Sequence, residues 1–221
     1  MKKNIRPMLG KPLLLYSLDF ARMFAGDEDI CISTDSEEIA QVAEMAGYHV
    51  PFIRPDRLAR DESPMQDVIL HALKLYESQG KKFEAVFLLQ PTSPIRLKEH
   101  GDAMISLYEE LEGTIDLVAS VGLAKRSPYF NLFEDSGNGR LVRMKTRNYL
   151  NRQACPDVFY LNGSMYIYNV ASLLSLKTGA FKNIRKFAMN EMYSIDIDSE
   201  LDWMLSEAVM KKNKLVPSSG D

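Results

Sequence analysis

Cysteine and histidine are scarce in this chain. Its 221 residues carry two cysteines, Cys31 and Cys155, and three histidines, His49, His71 and His100. Two cysteines in a chain of this length make no disulfide framework, and none of these residues falls at a zinc-ligand spacing. Cys31, inside the apolar run DICIS, reads as a small buried residue, and Cys155, in RQACP, as part of a loop. No histidine stands beside a candidate nucleophile. Charge of one sign is also lacking: the net charge of −3 gives no footprint for nucleic acid or for an anionic membrane surface. Lys81-Lys82 and Lys211-Lys212 are short clusters at solvated helix ends. No apolar run nears the roughly 20 residues of a membrane span, and no signal-peptide pattern opens the sequence. The expectation is a cytoplasmic protein with no nucleic-acid and no membrane partner.

A hydrophobic content of 46% with 26% charged residues suits one large domain, or one with a small appendage, around a substantial core. Short β-branched runs alternate with longer helical periods, the pattern of an α/β protein with a mostly parallel sheet covered on both faces. Predicted helices cover 12–24, 37–47, 64–76 and about 98–112, with a last one from Leu201. Predicted strands are DICISTD, HVPFIRP, FEAVFLLQ and DLVASV, and FEAVFLLQ, the most apolar, belongs at the sheet centre. From about Lys125 the alternation stops. NLFE and RLVRM flank a Gly-Asn-Gly turn, and the strand LNGSMYIYN follows. The expected organisation is an α/β domain over 1–124 and 188–216, a small β-rich subdomain over 125–187, and a frayed tail over 217–221.

Three stretches carry candidate chemistry. LLQPTSPIR ends a buried strand and turns through two prolines. Ligands of open α/β sheets bind beyond the carboxyl ends of strands, so Gln90, Thr92, Ser93 and Arg96 are placed to offer an amide, two hydroxyls and a cation. A rigid turn accounts for the tetrapeptide PTSP equally well, and its place after a central strand favours the ligand. In YSIDIDSELDW, residues two apart share a face, so Asp196 and Asp198 stand together while Ile195 and Ile197 face the core. Paired carboxylates suit Mg²⁺, which takes one or two of them and completes its shell with water and phosphate. Helix capping by Ser199 with Asp202 explains part of this motif and leaves Asp196 over. The third stretch, RQACPDVFYLNGSMYIYN, offers Arg152 as a carboxylate partner, a close backbone approach at Asn162-Gly163, and Tyr160, Tyr166 and Tyr168 at one parity. Elsewhere, Arg54, Arg57 and Arg60 cluster in IRPDRLARDESP, facing either phosphate oxygens or the neighbouring Asp56, Asp61 and Glu62.

Taken in order, KNIRPMLGKPLL, ISTDSEEIAQVAEMAG, RPDRLARDESP, LLQPTSPIR, NRQACPDVFYLNGSMYIYN and IDIDSELDW resemble the CMP-sialic acid synthetases, or acylneuraminate cytidylyltransferases, over nearly the whole chain. The resemblance implies a Rossmann-like nucleotidyltransferase fold with a β-rich dimerisation subdomain, and hence a homodimer. It implies CTP and a nine-carbon keto sugar acid as substrates and Mg²⁺ as cofactor. Carried over by motif, Asp196 and Asp198 would hold the metal and, with Gln90, form the catalytic set. Gln90, Arg152, Tyr166 and Asn162 would bind the sugar acid, and Lys3, Asn4, Arg54 and Ser63 would lie at the nucleotide. Phe181 would reach toward a partner's sugar site.

Two departures from the family pattern stand out. Its RRQD-type segment reads Asn151-Arg152-Gln153-Ala154 here, which leaves legionaminic, pseudaminic or Kdo-type acids open as substrates. The family's opening strand and its Gly- and Ser-containing phosphate loop have no counterpart before Lys3-Asn4. The expectations from this are a longer natural chain with impaired turnover by this one, or, as the alternative, an inactive dimeric relative that binds sugar.

Overall fold

The computed structural model describes residues 2–60, 62–111, 113–145 and 149–213, and leaves the Arg152 side chain undescribed. The tail expected over 217–221 lies outside the described residues. A single turn of 3-10 helix at Lys3–Ile5 leads into a hairpin of β1 (Pro7–Met8) and β2 (Lys11–Pro12). Leu9 and Gly10, at φ 50° and 85°, make the two-residue turn, whose left-handed backbone matches the twist of paired strands. Helix α1 (Leu13–Ala21) follows directly and buries Leu13, Leu14, Ser17 and Phe20. It stops three residues short of the expected Phe24.

The strand expected over 29–35 does not join a ladder. Ile30 and Ile32 are buried, but the only pairing described there is an isolated parallel bridge from Thr34 to Ile53. The apolar alternation of DICISTD thus records burial against a helix layer rather than strand pairing. Ile32 packs with Leu14, Ala43 and Tyr48. Helix α2 (Glu37–Met45) begins where the Ser36 hydroxyl accepts the Ile39 N–H, an ordinary N-cap. Helix α3 (Met65–Ser78) starts after Pro64.

The sheet is built from β3 (Ala85–Leu89), β4 (Leu117–Leu123), β7 (Phe159–Asn169) and β8 (Ile184–Ala188), in the order β3-β7-β4-β8. Helix α4 (Lys98–Glu109) connects β3 to β4. Strand β7 is antiparallel to both β3 and β4, whereas β4 and β8 are parallel. Three strands therefore share one direction, as the α/β reading requires, and the sheet is mixed because β7 runs against them. The expected subdomain boundary needs correction for the same reason. LNGSMYIYN is the last nine residues of β7, which lies between β3 and β4 in the sheet, so the excursion contracts from 125–187 to about 125–158. Within it, β5 (Phe133–Asp135) and β6 (Leu141–Arg143) form the expected hairpin, and the Asp135 carboxylate accepts the N–H groups of Gly137 and Gly139 in its turn.

Helix α5 (Val170–Ser175) follows β7, and helix α6 (Glu200–Lys212) closes the chain. One core cluster lies between α4 and the sheet around Met104, Val118 and Met165. Another joins the opening hairpin to the C-terminal helix through Met8, Leu13, Ile197, Trp203 and Met210. Among the described residues no helix is long and apolar enough to cross a membrane.

Candidate active site

Where β7 passes β4, the register slips between the pairs Ala119–Tyr166 and Val121–Leu161, so two steps on β4 face five on β7. Such a bulge bends a strand and re-aims its side chains. Gly163 lies in it at φ 71°, a backbone conformation that glycine adopts without penalty. A Cβ there would come within 2.8 Å of Asp196 Oδ2 and 3.3 Å of Gln90 Oε1. The bulge thus opens a cradle in which the amide at the end of β3 and the carboxylate of the C-terminal segment meet over bare backbone. Tyr166 completes it: its hydroxyl accepts the Gly163 N–H at 3.2 Å. Burial pushes the Tyr166 phenol above its ordinary value; the Gly163 N–H opposes this shift and the Asp196 charge adds to it. The remainder of the Tyr166 ring packs in the core with Ile69, Ala119, Leu173 and Phe181. Tyr160 lies beyond the bulge, so the common parity of the three tyrosines does not carry across.

Asp196 and Asp198 occupy an extended segment between a turn at Glu191–Tyr193 and α6. Ile197, between them, is buried and Ile195 packs beside it, as the alternation predicts. The Ile197 N–H donates to the Thr92 carbonyl at 2.8 Å, fastening this segment to the PTSP turn. Asp196 Oδ1 is buried and has no hydrogen-bond partner. An unpaired buried carboxylate oxygen is unfavourable unless a cation or donor completes it. Asp198 is exposed; Lys3 Nζ lies 3.3 Å from its Oδ1 and also donates to the Ile197 carbonyl. The capping explanation holds in addition, since Ser199 and Asp202 form a capping box at the start of α6. It engages Asp198 only through its backbone N–H, so both carboxylates of the pair remain free of the cap. Among the described residues no group of three or more His, Cys, Asp or Glu side chains converges.

Several expected contacts turn out to lie beneath the cradle rather than in it. Asn162 is 1% exposed. Its Oδ1 accepts the Ser120 hydroxyl at 2.6 Å and the Ser164 N–H at 3.2 Å, and its Nδ2 donates to Ser194 Oγ at 3.0 Å. With those partners the Asn162 side chain is a strut of the bulge. Ser93 and Arg96 also turn inward, Ser93 donating to the Asn162 carbonyl. Phe181, expected to reach toward a partner, is buried in the core of the chain against Tyr168. Arg152 falls in a turn at Arg152–Ala154, with its side chain outside the described residues.

The expected nucleotide residues all fall in the N-terminal half of the chain. Asn4 lies in the Lys3–Ile5 turn, with its buried Oδ1 unpartnered. Arg54 pairs with Asp35 at 3.0 Å and leaves a buried Nε unpartnered. Ser63 donates to the Arg57 carbonyl and lines a hollow of about 240 Å³ with Arg57 and Arg60. That hollow shares no lining residue with the Gln90–Asp196 cradle. The sequence reading missed the serines of the buried network: Ser17 on α1, Ser120 on β4, Ser164 on β7, and Ser194. Their signal was hydroxyls set inside otherwise apolar elements, as in LLLYSLDF, LVASV and NGSMY.

The sequence profile of a family described as Cytidylyltransferase matches residues 1–216. Two relatives are each called CMP-N,N'-diacetyllegionaminic acid synthase. The one from Campylobacter jejuni is 34% identical over 97% of this chain and 91% of its own. The one from Legionella pneumophila is 30% identical over 96% and 90%. Among solved structures, a CMP:2-keto-3-deoxy-manno-octonic acid synthetase complexed with CTP superimposes with a TM-score of 0.67 at 13% identity, over 96% of this chain and 92% of that one. That likeness shows the fold: an α/β nucleotidyltransferase architecture.

Proposed function

The chain belongs to this cytidylyltransferase family, and on that premise we propose that it activates a nonulosonic acid with CTP, giving a CMP-sugar and pyrophosphate. The observation that carries the reading is the cradle at Gly163. There the side-chain amide of Gln90 and the orphaned carboxylate of Asp196 face one another across backbone that carries no Cβ. The names of the relatives favour a legionaminic-type acid, with sialic, pseudaminic and Kdo-type acids as the competing substrates.

The anomeric hydroxyl of the acid attacks the α-phosphorus of CTP. The new P–O bond forms as the bond to pyrophosphate breaks, and the hydroxyl proton is released. Little covalent work falls to the protein in such a transfer, which depends on positioning and charge neutralisation. Gln90 orients the sugar acid, Arg152 pairs with its carboxylate, and the Tyr166 ring closes the wall beneath it. Lys3, Asn4, Arg54 and Ser63 lie on the nucleotide side. The orphaned Asp196 Oδ1 and the exposed Asp198 fit a divalent cation of the Mg²⁺ type, for which two carboxylates suffice when phosphate and water fill the remaining positions. When bound, such an ion neutralises charge on the phosphate oxygens. Lys3, already at Asp198 and the Ile197 carbonyl, adds a second positive charge at the same edge.

The exposed apolar side chains of the excursion, Phe133, Leu141, Val142 and Met144, support its reading as a homodimer surface. Pyrophosphate release tests the function. With CTP and Mg²⁺, release above the sugar-free rate is expected with N,N'-diacetyllegionaminic or N-acetylneuraminic acid. No release with these or with pseudaminic acid or Kdo would remove the reading.

A further inference from the structure

The PTSPIR turn closes on a buried cation. Arg96 is 8% exposed, and among the described residues no carboxylate pairs with it; burial without a counter-charge pushes its guanidinium down to about 9. Its Nε donates to Ser164 Oγ at 3.1 Å and its Nη1 to Ser17 Oγ at 2.9 Å. Its Nη2 donates to two backbone carbonyls, Gln90 at 2.6 Å and Ser164 at 2.8 Å. All three nitrogens thus engage neutral oxygens, and the Phe20 ring centroid lies 5.7 Å from the guanidinium carbon.

A guanidinium in this position is a poor way to fill space. Burying a charge without a counter-ion is unfavourable, and an apolar side chain of similar volume is commonly as stable or more so. What arginine alone supplies is a planar fork of donors in fixed directions. Here that fork joins α1 through Ser17, the β7 bulge through Ser164, and the end of β3 through Gln90. The two carbonyls it grips flank the cradle. Gln90 and Ser164 are themselves linked by the Gln90 N–H to the Ser164 carbonyl at 3.3 Å, and Gly163 lies next to Ser164 with Gln90 Oε1 above it. Moving the guanidinium therefore moves the backbone from which the Gln90 amide projects.

We infer that Arg96 is a positioning residue for the sugar-acid side of the site: it fixes the Gln90 backbone against the Gly163 bulge so that the amide addresses the substrate, which Arg96 itself does not touch. The inference rests on the cytidylyltransferase reading and deepens it. None of the side chains placed at the nucleotide hydrogen-bonds to Arg96 among the described contacts, so the effect falls on the sugar acid and spares CTP.

Three variants test this by initial rates of pyrophosphate release, with N,N'-diacetyllegionaminic acid or N-acetylneuraminic acid varied at saturating CTP and then CTP varied at saturating acid. Arg96→Lys keeps the charge without the fork, Arg96→Met removes both, and Ser17→Ala removes one anchor. The KM for the acid is expected to rise about tenfold in Arg96→Lys and about two- to threefold in Ser17→Ala, with the KM for CTP within about twofold of the parent. Where Arg96→Met does not fold, the other two variants carry the test, and thermal melting is recorded for each. A lowered Tm with an unchanged KM for the acid is the signature of a merely structural residue and overturns the inference, as does an equal rise in both KM values. A parent protein that turns over neither of these acids, nor pseudaminic acid or Kdo, removes the functional reading and the inference together. A parent that turns over the acid beside variants of unaltered KM removes the inference alone.

Discussion

A methyl group at Gly163 would meet Asp196 Oδ2 at 2.8 Å from a backbone at φ 71°. Left-handed backbone costs an L-residue about 1–2 kcal/mol before any clash. Gly163→Ala is therefore expected to lower stability by at least that amount in a urea titration and to abolish most turnover. At Asp196, replacement by Asn keeps the shape and removes the charge. Turnover should fall by about 10²–10³-fold, and Mn²⁺ binding, followed by electron paramagnetic resonance as a proxy for Mg²⁺, should weaken with it. Unaltered ion binding in Asp196→Asn would remove that residue from the metal site. The residues that meet at the cradle were legible in the sequence where local pattern decided the matter, Gln90 from its place at a strand end and Asp196 from its alternation with Ile195 and Ile197. Asn162, Ser93 and Arg96 were not legible as struts. Whether a polar side chain near a strand end turns in or out depends on the β7 bulge, and nothing in NGSMY besides its glycine announces one.

Two elements anchored by carboxylates each have their own test. The capping box at α6 sits beside the carboxylate pair, so capping and metal binding can be separated by substitution. Ser199→Ala should cost about 1 kcal/mol of stability and leave Mn²⁺ affinity unchanged, whereas Asp196→Asn should do the reverse to the ion. At the start of β4, the Asp116 carboxylate accepts the N–H groups of Asn183 and Lys182 and the Ser172 hydroxyl, fastening β4 to the chain entering β8. Those donors, the Asn183 N–H foremost, hold Asp116 below the usual carboxylate range. A folded pKa depressed below the unfolded one stabilises the protein above the unfolded value near ~4, and that stability is lost as pH falls through the folded value. Urea midpoints should accordingly drop between about pH 5 and pH 2, and Asp116→Asn should flatten that dependence while lowering stability at pH 7. The capping box, the Gly-Asn-Gly hairpin and the helices could all be read from local pattern. DICISTD could not, because its alternation is that of any chain with one buried side, and pairing depends on a neighbour that local sequence does not name.

At the scale of the whole molecule, the sequence indicated the class of the fold and misplaced several strands: DICISTD and HVPFIRP join no ladder among the described residues, and FEAVFLLQ, as β3, lies at an edge of the four-stranded sheet rather than at its centre. The pattern of β7 says it is a strand, but not that it re-enters the sheet between β3 and β4. That single placement makes the sheet mixed and confines the excursion to about 125–158. The hairpin left outside exposes Leu141 and Val142 on β6 and Phe133 on β5. Leu141→Glu with Val142→Glu is expected to convert a dimer to a monomer in light scattering, with little loss of helix signal in circular dichroism; a protein already monomeric at tens of micromolar would contradict the dimer reading. The central claim is that the Gln90–Gly163–Asp196 cradle serves CMP transfer to an acidic sugar. Mass spectrometry of a reaction containing the purified protein, CTP, Mg²⁺ and N,N'-diacetyllegionaminic or N-acetylneuraminic acid tests it most directly. The account predicts a CMP-linked acid formed in step with pyrophosphate, and sharply less of it in Asp196→Asn. Absence of any CMP-linked product with these acids and with pseudaminic acid and Kdo, or equal product from the variant, would contradict it.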